Sequence, residues 1–533
     1  MDTFDFIVIG AGSAGCVLAE RLTQSGKHSV LLLEAGQSSW TPWTRLPLGY
    51  GKTFHDTRVN WRYYAQPDPE LNNREIYWPR GKTLGGSSAI NGLVWMRGLP
   101  QDFDDWENAG NPGWSWDNVA PVFDEIEEVG KGDTPPNGRI SVADRSDDYH
   151  RIGQAFLASA SAAQLGQAHS DTSHFCEGAA PYKITTRSGF RDSAAKVFLK
   201  PARTRRTLTL KTKIVVDRIE FTDKKASGVR FFENGQPRIA KARAEVLLAA
   251  GAVGTPAILQ RSGIGPRRLL DTFGIAPVCV NEAVGAGLQD HLGIDYLFRA
   301  NEPTLNQSIG RLSGQMAAAL RFMRHRRGPL TLSVNQMGGM VRSKPGLKTA
   351  DIQLYFTPLS YSTSWRNKRP LTRPDPWPGF AFGFSACRPT SQGRIDIISR
   401  DPIHPPRIEP RYLSTPDDIA SAIDGARLIE RMLETPAMQG IVDAPTSFTP
   451  TNASDDEIVS DFRSRASTVF HACGTCRMAP KEDAGVVDPA LKVYGVDGLR
   501  VVDASIFPNI TSANTNAPTL MVAAKAAKMI LQG

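Results

Sequence analysis

The chain opens with a pattern of apolar and small residues that is typical of a strand–helix–strand unit. An apolar run from Ile7 to Ile9 predicts a buried strand, and Val17, Leu18 and Leu22 follow with the spacing of a helix face. A second apolar run, Ser29 to Leu33, ends at an acidic residue. Buried strands that alternate with helices indicate a parallel sheet, so we expect an α/β fold at the N-terminus.

Further elements are predicted along the rest of the chain. Alternating or β-branched residues predict strands in 208–232, 245–250, 351–356, 380–385 and 499–502. Helical patterns cover 102–128, with a break at Asn111-Pro112-Gly113, then 417–433 and a strongly amphipathic 520–531. Residues 36–80, with Trp40, Trp43 and Trp61, lack periodicity and predict a surface excursion or lid. The proline-rich stretch 368–379 predicts a loop.

A glycine-rich turn joins the first strand to the first helix. It reads Gly10-Ala11-Gly12-Ser13-Ala14-Gly15, where the first glycine permits a tight turn, the second lets backbone amides approach a pyrophosphate, and the third lets helix and strand pack closely. The helix N-terminus adds unpaired N–H groups for phosphates. Glu34, followed by Ala35, can accept hydrogen bonds from a ribose hydroxyl. These features occur in the required order, so we predict that the unit binds a dinucleotide.

The distribution of the strands predicts a composite architecture. The dinucleotide motif is N-terminal, whereas further strands of the parallel kind occur in mid-chain and near the C-terminus. The simplest arrangement is a Rossmann-like cofactor domain built from discontinuous segments, with an antiparallel-sheet domain inserted between them. We assign 1–155, 201–297 and 465–533 to the cofactor domain, and 156–200 and 298–464 to an inserted substrate domain. The fold class is therefore α/β, as an α+β composite.

Composition narrows the class of protein further. The 533 residues are 41% hydrophobic and 22% charged, and no apolar run reaches the ~20 residues that span a bilayer. The chain enters a strand almost at once, so we expect no signal peptide and a cytoplasmic protein. Six scattered cysteines predict no disulfide framework, and Cys473 to Cys476 lacks the second pair that a zinc site needs, so no metal is expected.

The net charge is +8, and the basic residues are dispersed along the chain except at two clusters, 200–206 and 321–327. A solvated surface is the simplest interpretation of both, and a peripheral contact with a membrane or another anionic partner is the alternative. Nucleic-acid binding is not expected, because the clusters lack interleaved aromatic residues.

Five ordered blocks resemble the glucose–methanol–choline (GMC) oxidoreductase family. They are GKTLGGSSAINGLVWMRGLPQDFD at 81–104, GAVGTPAILQRSGIG at 251–265, HACGTCRM at 471–478, VVDAS at 501–505 and NTNAPT at 514–519. The similarity covers essentially the whole chain in the family's order. It implies that the dinucleotide is FAD and that the protein oxidises an alcohol.

The resemblance also implies which residues bind FAD. It adds the following to the residues of the glycine-rich turn, Glu34 and Ala35: Gly85, Gly86, Ser87, Asn91, Gly92, Val94, Val216, Asp503, Ala504, Asn514, Pro518 and Thr519. The N-terminus of the last helix would face the flavin pyrimidine and favour negative charge there. Family members with covalent FAD often carry histidine directly before the position of Asn91. Here that residue is Ile90, so non-covalent FAD is expected.

The chemistry needs a base for the hydroxyl proton and an acceptor for the hydride. His471 resembles the family's catalytic histidine, and its ordinary pKa of ~6.5 leaves it mostly neutral at cytoplasmic pH. Asn514 resembles the second active-site position, where an amide would orient the alcohol oxygen rather than accept a proton. Asn516 is the alternative if the register is shifted by two residues.

The substrate is less constrained than the reaction. Phe380, Phe382 and Phe384 share one strand face. With Tyr355 and Phe470 they suit a primary alcohol that is apolar or aromatic, unless they are simply core. We name Tyr355, Phe382 and Phe470 as pocket residues. Choline is disfavoured, because Leu292 and Gly293 stand where choline oxidases place a carboxylate, with Asp295 further on. O2 or another electron acceptor is expected as the partner. Alternatives within the family are a hydroxynitrile-lyase-type activity and a fatty-acid photodecarboxylase.

Overall fold

The computed structural model describes residues 2–38, 41–130, 138–166, 177–361 and 374–532. Its strands, numbered in chain order, are β1 Thr3–Ile9, β2 Val30–Glu34, β3 Tyr63–Tyr64, β4 Tyr77–Trp78, β5 Glu127–Gly130, β6 Ile140–Ala143, β7 Gly178–Pro181, β8 Ile184–Arg187, β9 Phe190–Arg191, β10 Leu208–Thr212, β11 Ile214–Thr222, β12 Lys225–Glu233, β13 Gln236–Leu248, β14 Ile264–Gly265, β15 Cys279–Val280, β16 Ala286–Leu288, β17 Leu292–Ala300, β18 Met337–Val341, β19 Ile352–Thr357, β20 Gly379–Ala386, β21 Gly393–Asp396, β22 Arg407–Glu409, β23 Val442–Pro445, β24 Ser467–Thr468 and β25 Leu499–Val501. Its α-helices are α1 Ser13–Thr23, α2 Pro42–Arg45, α3 Tyr50–Thr53, α4 Pro100–Asn108, α5 Trp116–Ile126, α6 Gly153–Ala162, α7 Lys200–Ala202, α8 Gly251–Arg261, α9 Arg267–Thr272, α10 Leu305–Gly310, α11 Leu312–His325, α12 Pro416–Leu433, α13 Pro436–Gln439, α14 Asp455–Arg465 and α15 Asn516–Gln532.

The first large sheet has the order β10-β2-β1-β13-β12-β11, and β25 pairs with the far half of β13. Strands β10, β2, β1, β13 and β25 run parallel, whereas β11 and β12 form an antiparallel meander with the first half of β13. The chain therefore supplies this sheet from three distant segments. The centre of this sheet, at 6–9 of β1, 30–33 of β2 and 246–248 of β13, is apolar and buried, as expected of strands covered on both faces.

The second large sheet is antiparallel, with the order β23-β17-β20-β19-β18-β7 and β24 added beside β17. Helices α6, α12 and α14 cover one face, where aromatic side chains of β17, β19 and β20 form a separate core. This arrangement confirms a Rossmann-like unit from discontinuous segments with an antiparallel sheet inserted. The segment limits at 155, 200, 297 and 464 stay predictions.

Most predicted elements are found, but the amphipathic character predicted for the terminal helix is wrong. The break at 111–113 separates α4 from α5, and the strands predicted at 351–356 and 380–385 match β19 and β20. The terminal helix α15 is not strongly amphipathic: from Ala517 to Ala527 every residue except Lys525 is buried, because α1 and α5 pack along it. Trp40 and the first half of the predicted loop, 368–373, lie outside the described residues.

Candidate active site

Two glycine-rich loops meet at the end of the parallel sheet. The N–H of Gly85 donates to the carbonyl of Ala11 at 2.7 Å. A Cβ on Gly86, whose φ is +51°, would stand 2.7 Å from the Cα of Gly12. A Cβ on Gly15 would stand 1.8 Å from the carbonyl oxygen of Gly10. Close backbone approach thus requires glycine at these positions, and it brings residues 81–92 onto the first strand–helix turn.

A single cavity of about 1160 Å³ runs from these loops to His471. It is lined by most of the predicted cofactor residues: Gly10, Gly12, Ser13, Ala14, Glu34, Ala35, Gly86, Ser87, Asn91, Gly92, Val94, Val216, Asp503, Ala504, Asn514 and Thr519. Three predicted residues do not line it. Gly15 packs on the Gly10 carbonyl, Gly85 bonds to Ala11, and Pro518 is buried in the first turn of α15.

Two glycines leave open space in this cavity. Gly12 and Gly92 both line it, neither has a positive φ, and an added Cβ would meet nothing closer than 4.0 Å at Gly12 and nothing within 4 Å at Gly92. Packing within the protein therefore does not require glycine at either position, and the missing side chains leave room for a ligand. The N-terminal residues of α1 and α15 face the same space and supply positive dipole ends.

Glu34 closes the far end of the cavity. Its two carboxylate oxygens accept hydrogen bonds from the N–H groups of Ala11 (2.9 Å) and Gly36 (2.8 Å). Burial raises the pKa of Glu34 to about 7, and these two N–H groups oppose the shift. Asp503 is held similarly by the N–H groups of Gly251 and Ser505 and the hydroxyl of Thr255. Both acids are thus fixed in orientation by the backbone around them.

Replacing Glu34 by Ala should weaken FAD binding at least tenfold. The variant loses one charge-assisted hydrogen bond to a ribose hydroxyl, worth roughly 1.5–3 kcal/mol, and frees the Ala11 and Gly36 N–H groups. Titration of apoprotein with FAD measures the effect, and alcohol turnover at saturating FAD should match the parent. Glu34→Gln, which keeps one acceptor oxygen and the side-chain volume, is the matched control and should lose less. Unchanged affinity in Glu34→Ala would exclude Glu34 as the ribose ligand.

At the other end of the cavity, His471 is fixed by a buried network. Its backbone N–H donates to the carboxylate of Asp290 at 2.6 Å, and that carboxylate also accepts from the hydroxyls of Tyr412 and Thr468. Arg80 donates to the carbonyl of Phe470 at 2.8 Å. Phe470 directly precedes the histidine and has a φ of +73°. The backbone at His471 is therefore fixed by contacts that involve three distant parts of the chain, at Arg80, Asp290 and Tyr412.

A chain of hydrogen bonds assigns the protons of this imidazole. Nε2 of His291 lies 2.9 Å from the carbonyl oxygen of Cys387, which only accepts, so His291 donates there. Burial lowers the pKa of His291 to about 4, so the ring is neutral and its Nδ1 carries no proton. His471 Nδ1, at 2.8 Å from that atom, must then donate to it. The bare nitrogen of His471 is Nε2, which accepts from the amide of Asn514 at 2.8 Å.

The electrostatic surroundings keep His471 neutral. Burial, the neighbouring His291 ring and the Arg80 guanidinium together lower the pKa of His471 well below its usual value of 6.5. Nε2 consequently carries no proton in the neutral pH range, and its lone pair accepts the hydrogen bond from Asn514. Asn514, rather than Asn516, contacts this atom. Asn516 instead accepts a hydrogen bond from Ser13 at 2.8 Å, beside the first glycine-rich loop.

The remaining pocket residues divide between the cavity and the core. Tyr355 and Phe470 line the cavity, and the Tyr355 hydroxyl bonds to Gln353 and Ser385. Phe382 does not line it: its ring is fully buried against Phe156 and Phe356, on the helix-covered face of the antiparallel sheet. The pocket assignment of Phe382 is wrong because its ring packs on Phe156 under the helices, whereas Ala381 and Phe384 are the residues of β20 that line the cavity.

Some residues at the site were missed from the sequence. Asp290 and His291 directly precede the Leu292 and Gly293 that disfavoured choline, but they were not predicted as site residues. Their place beneath His471 requires the pairing of β24 with β17. The adjacent acid and histidine were the available signal. Residues 250–254, in the second sequence block, line the cavity near Asp503 without having been named. Cys473 and Cys476 are buried free thiols in the packing around the histidine.

The fold and the site together define a flavin-dependent oxidoreductase acting on CH–OH groups. A dinucleotide cavity reaches a neutral histidine whose unprotonated ring nitrogen accepts a hydrogen bond from a neighbouring amide. An unprotonated imidazole beside an amide can remove a hydroxyl proton from an alcohol. Family models for the N- and C-terminal parts of GMC oxidoreductases match residues 4–293 and 389–523. The chain belongs to the GMC oxidoreductase family.

Several known proteins resemble this chain over nearly their whole lengths. It is 36% identical to an alcohol dehydrogenase [acceptor] of Pseudomonas putida, covering 99% of this chain and 96% of that protein. It is also 36% identical to an oxygen-dependent choline dehydrogenase of Proteus mirabilis, covering 99% and 95%. The crystal structure of pyridoxine 4-oxidase from Mesorbium loti superposes with a TM-score of 0.88 at 27% identity over 99% of both chains. No helix in the described residues has the length and apolarity to cross a membrane.

Proposed function

We propose that the protein oxidises a primary alcohol, apolar or aromatic in character, to its aldehyde with non-covalently bound FAD. The observation that carries the proposal is the unprotonated Nε2 of His471, which accepts a hydrogen bond from the Asn514 amide where both residues line the cavity. The fixed tautomer makes one nitrogen the proton acceptor, and the lowered pKa keeps it unprotonated.

In this mechanism the chain's own residues bind, orient and deprotonate the substrate. The two glycine-rich loops, Glu34, Asp503 and the N-terminus of α15 would hold FAD, which when bound accepts the hydride from the alcohol carbon. Nε2 of His471 takes the hydroxyl proton. The Asn514 N–H donates to the same oxygen and steadies the negative charge as it develops. Phe470 and neighbouring apolar residues exclude water from the pair.

The cavity wall supports an apolar or aromatic alcohol. Beyond His471 it carries Phe54, Trp61, Ile294, Leu297, Val334, Tyr355, Leu359 and Phe470. A second candidate is an alcohol that also carries a cationic group. It is favoured by Asp295, which is deep in the protein yet open to the cavity near Tyr50 and Tyr361. Burial raises the pKa of Asp295 and the Arg465 guanidinium opposes the shift, so this carboxylate already has a cationic neighbour.

Anaerobic mixing of the FAD-loaded enzyme with alcohols tests the proposal. Hexan-1-ol or benzyl alcohol should bleach the flavin absorbance, and choline should do so more slowly. Faster bleaching by choline that Asp295→Asn abolishes would select the second candidate. Absence of bleaching by any of these alcohols would instead favour the non-redox lyase or the photodecarboxylase. Readmitting O2 to reduced enzyme separates an oxidase, which reoxidises within turnover time, from a dehydrogenase that needs another acceptor.

Acid or heat denaturation is expected to release all FAD from the polypeptide. The reason is Ile90, which lines the cavity where covalently flavinylated family members often have a histidine, and an alkyl side chain forms no bond to the flavin. Absorbance of the supernatant and of the washed precipitate measures the partition. Flavin that remains with the precipitated chain would contradict the expectation.

A further inference from the structure

Helix α11 carries a second apolar face that no described residue covers. Ala318 and Phe322 are buried against the body of the protein. Leu312, Met316, Leu320 and Met323 are 74%, 66%, 62% and 65% exposed. Steps of four, four and three residues place these four side chains in one stripe along the helix. We refer to them as the α11 stripe.

The stripe is unusual for this surface. Nine large apolar side chains are exposed in the described part of the chain, and four of them lie on this one helix. Scattered exposed apolar residues need no explanation, but a contiguous exposed set indicates an interaction site. The other five lie apart from α11 in the sequence, at Trp43, Val280, Ile398, Ile403 and Leu531.

The same helix is strongly basic. Residues 311–327 contain five arginines and no acidic residue. Arg311 and Arg324 are exposed and make no ion pair with any described carboxylate. Arg321 and Arg327 share the buried carboxylate of Asp148 with Arg145, so three guanidinium groups contact one carboxylate. An apolar stripe bordered by excess positive charge is the composition of helices that lie on anionic membranes.

The stripe also lies close to the active-site cavity. Leu305 and Ile309 of α10, which packs against α11, contact the group that contains Tyr50 and Tyr361. Both tyrosines line the cavity. One short helix therefore separates the stripe from a wall of the substrate cavity.

We propose that α11 docks this protein onto the surface of an anionic lipid bilayer, with the stripe in the headgroup–acyl boundary and the arginines against lipid phosphates. A second copy of the chain fits the surface less well. A two-fold contact through α11 would place its unpaired arginines opposite those of the other copy, where like charges repel. Docking would hold the cavity next to a phase in which apolar alcohols concentrate, although α11 itself takes no part in the chemistry.

Vesicle co-sedimentation of the FAD-loaded enzyme tests this docking. The parent should bind vesicles of phosphatidylcholine with phosphatidylglycerol and bind pure phosphatidylcholine weakly, and added salt should reduce the binding. Met316→Gln with Leu320→Gln should lower the affinity for anionic vesicles about tenfold or more. Ile398→Gln with Ile403→Gln, which alters exposed apolar residues elsewhere, is the matched control and should bind as the parent does. Arg311→Glu with Arg324→Glu should lower the affinity by about as much as the stripe variant.

All of these variants should oxidise a water-soluble alcohol at the parental rate, since the altered residues lie outside the cavity. Anionic vesicles that bind the stripe variant and the parent equally would overturn the proposal, as would a parent that binds no vesicles. Sedimentation equilibrium measures whether the stripe instead forms a dimer contact between two copies of the chain. A parental dimer that the stripe variant converts to monomer would assign the stripe to a second copy and refute lipid docking.

Discussion

Replacing His471 by Ala is expected to slow reduction of the flavin by alcohol by about 10²–10⁴, the usual contribution of a positioned general base. The variant lacks the nitrogen that takes the hydroxyl proton, so hydride transfer must proceed from the neutral alcohol. FAD should stay bound, because the glycine-rich loops and Glu34 lie at the other end of the cavity. Stopped-flow measurement of flavin bleaching gives the rate, and an unchanged rate would contradict the mechanism.

The pH dependence of the same rate provides a second test. The pKa of His471 is lowered well below 6.5, so the parent should keep its rate through neutral pH and lose it only under more acidic conditions, as the imidazole is protonated. That acid limb should be missing in His471→Ala. It should persist in Asn514→Ala, which is slower because the orienting amide is lost while the base remains. His150→Ala, a half-buried histidine outside the cavity, is the control and should change neither rate nor profile.

Two alanine substitutions three residues apart should have different consequences. Gly15→Ala should destabilise the fold by roughly 3 kcal/mol or more, at the upper end of overpacking costs, because its Cβ would stand 1.8 Å from the Gly10 carbonyl oxygen. Gly12→Ala should fold normally, because its Cβ meets only the Ala249 carbonyl, at 4.0 Å. It should nevertheless bind FAD about 100-fold more weakly or worse, since it fills space reserved for the pyrophosphate.

Denaturant unfolding of the apoprotein and FAD titration separate the two effects. Gly92→Ala is a third variant to compare, since Gly92 also lines the cavity and a Cβ there would meet open space. It should reduce FAD affinity without affecting the stability of the apoprotein. If Gly12→Ala bound FAD as the parent does, the space at Gly12 would not belong to the cofactor. If Gly15→Ala matched the parental stability, the close contact between Gly15 and the Gly10 carbonyl would not require glycine at position 15.

Local sequence spacing was sufficient for the cofactor end of this protein. Strand β1, the glycine-rich turn, helix α1 and Glu34 are consecutive, so the contacts that define them are encoded within about one βαβ unit. The ordered blocks further along the chain likewise predicted the family, His471 and Asn514. The family prediction is confirmed, whereas the roles of His471 and Asn514 stay predictions. The sequence could supply all three because each depends on neighbours in the chain or on a contiguous motif.

The tertiary structure decided what depends on residues far apart in the chain. The proton assignment on His471 needs His291, which is 180 residues away, and the carbonyl of Cys387. Phe382 was misassigned because alternation defines two faces of a strand but not which face meets the helices and which the cavity. The burial of α15 and the exposure of the α11 stripe follow the same rule. The polar and apolar pattern of a helix describes its faces, and only the packing of other elements determines which face is covered.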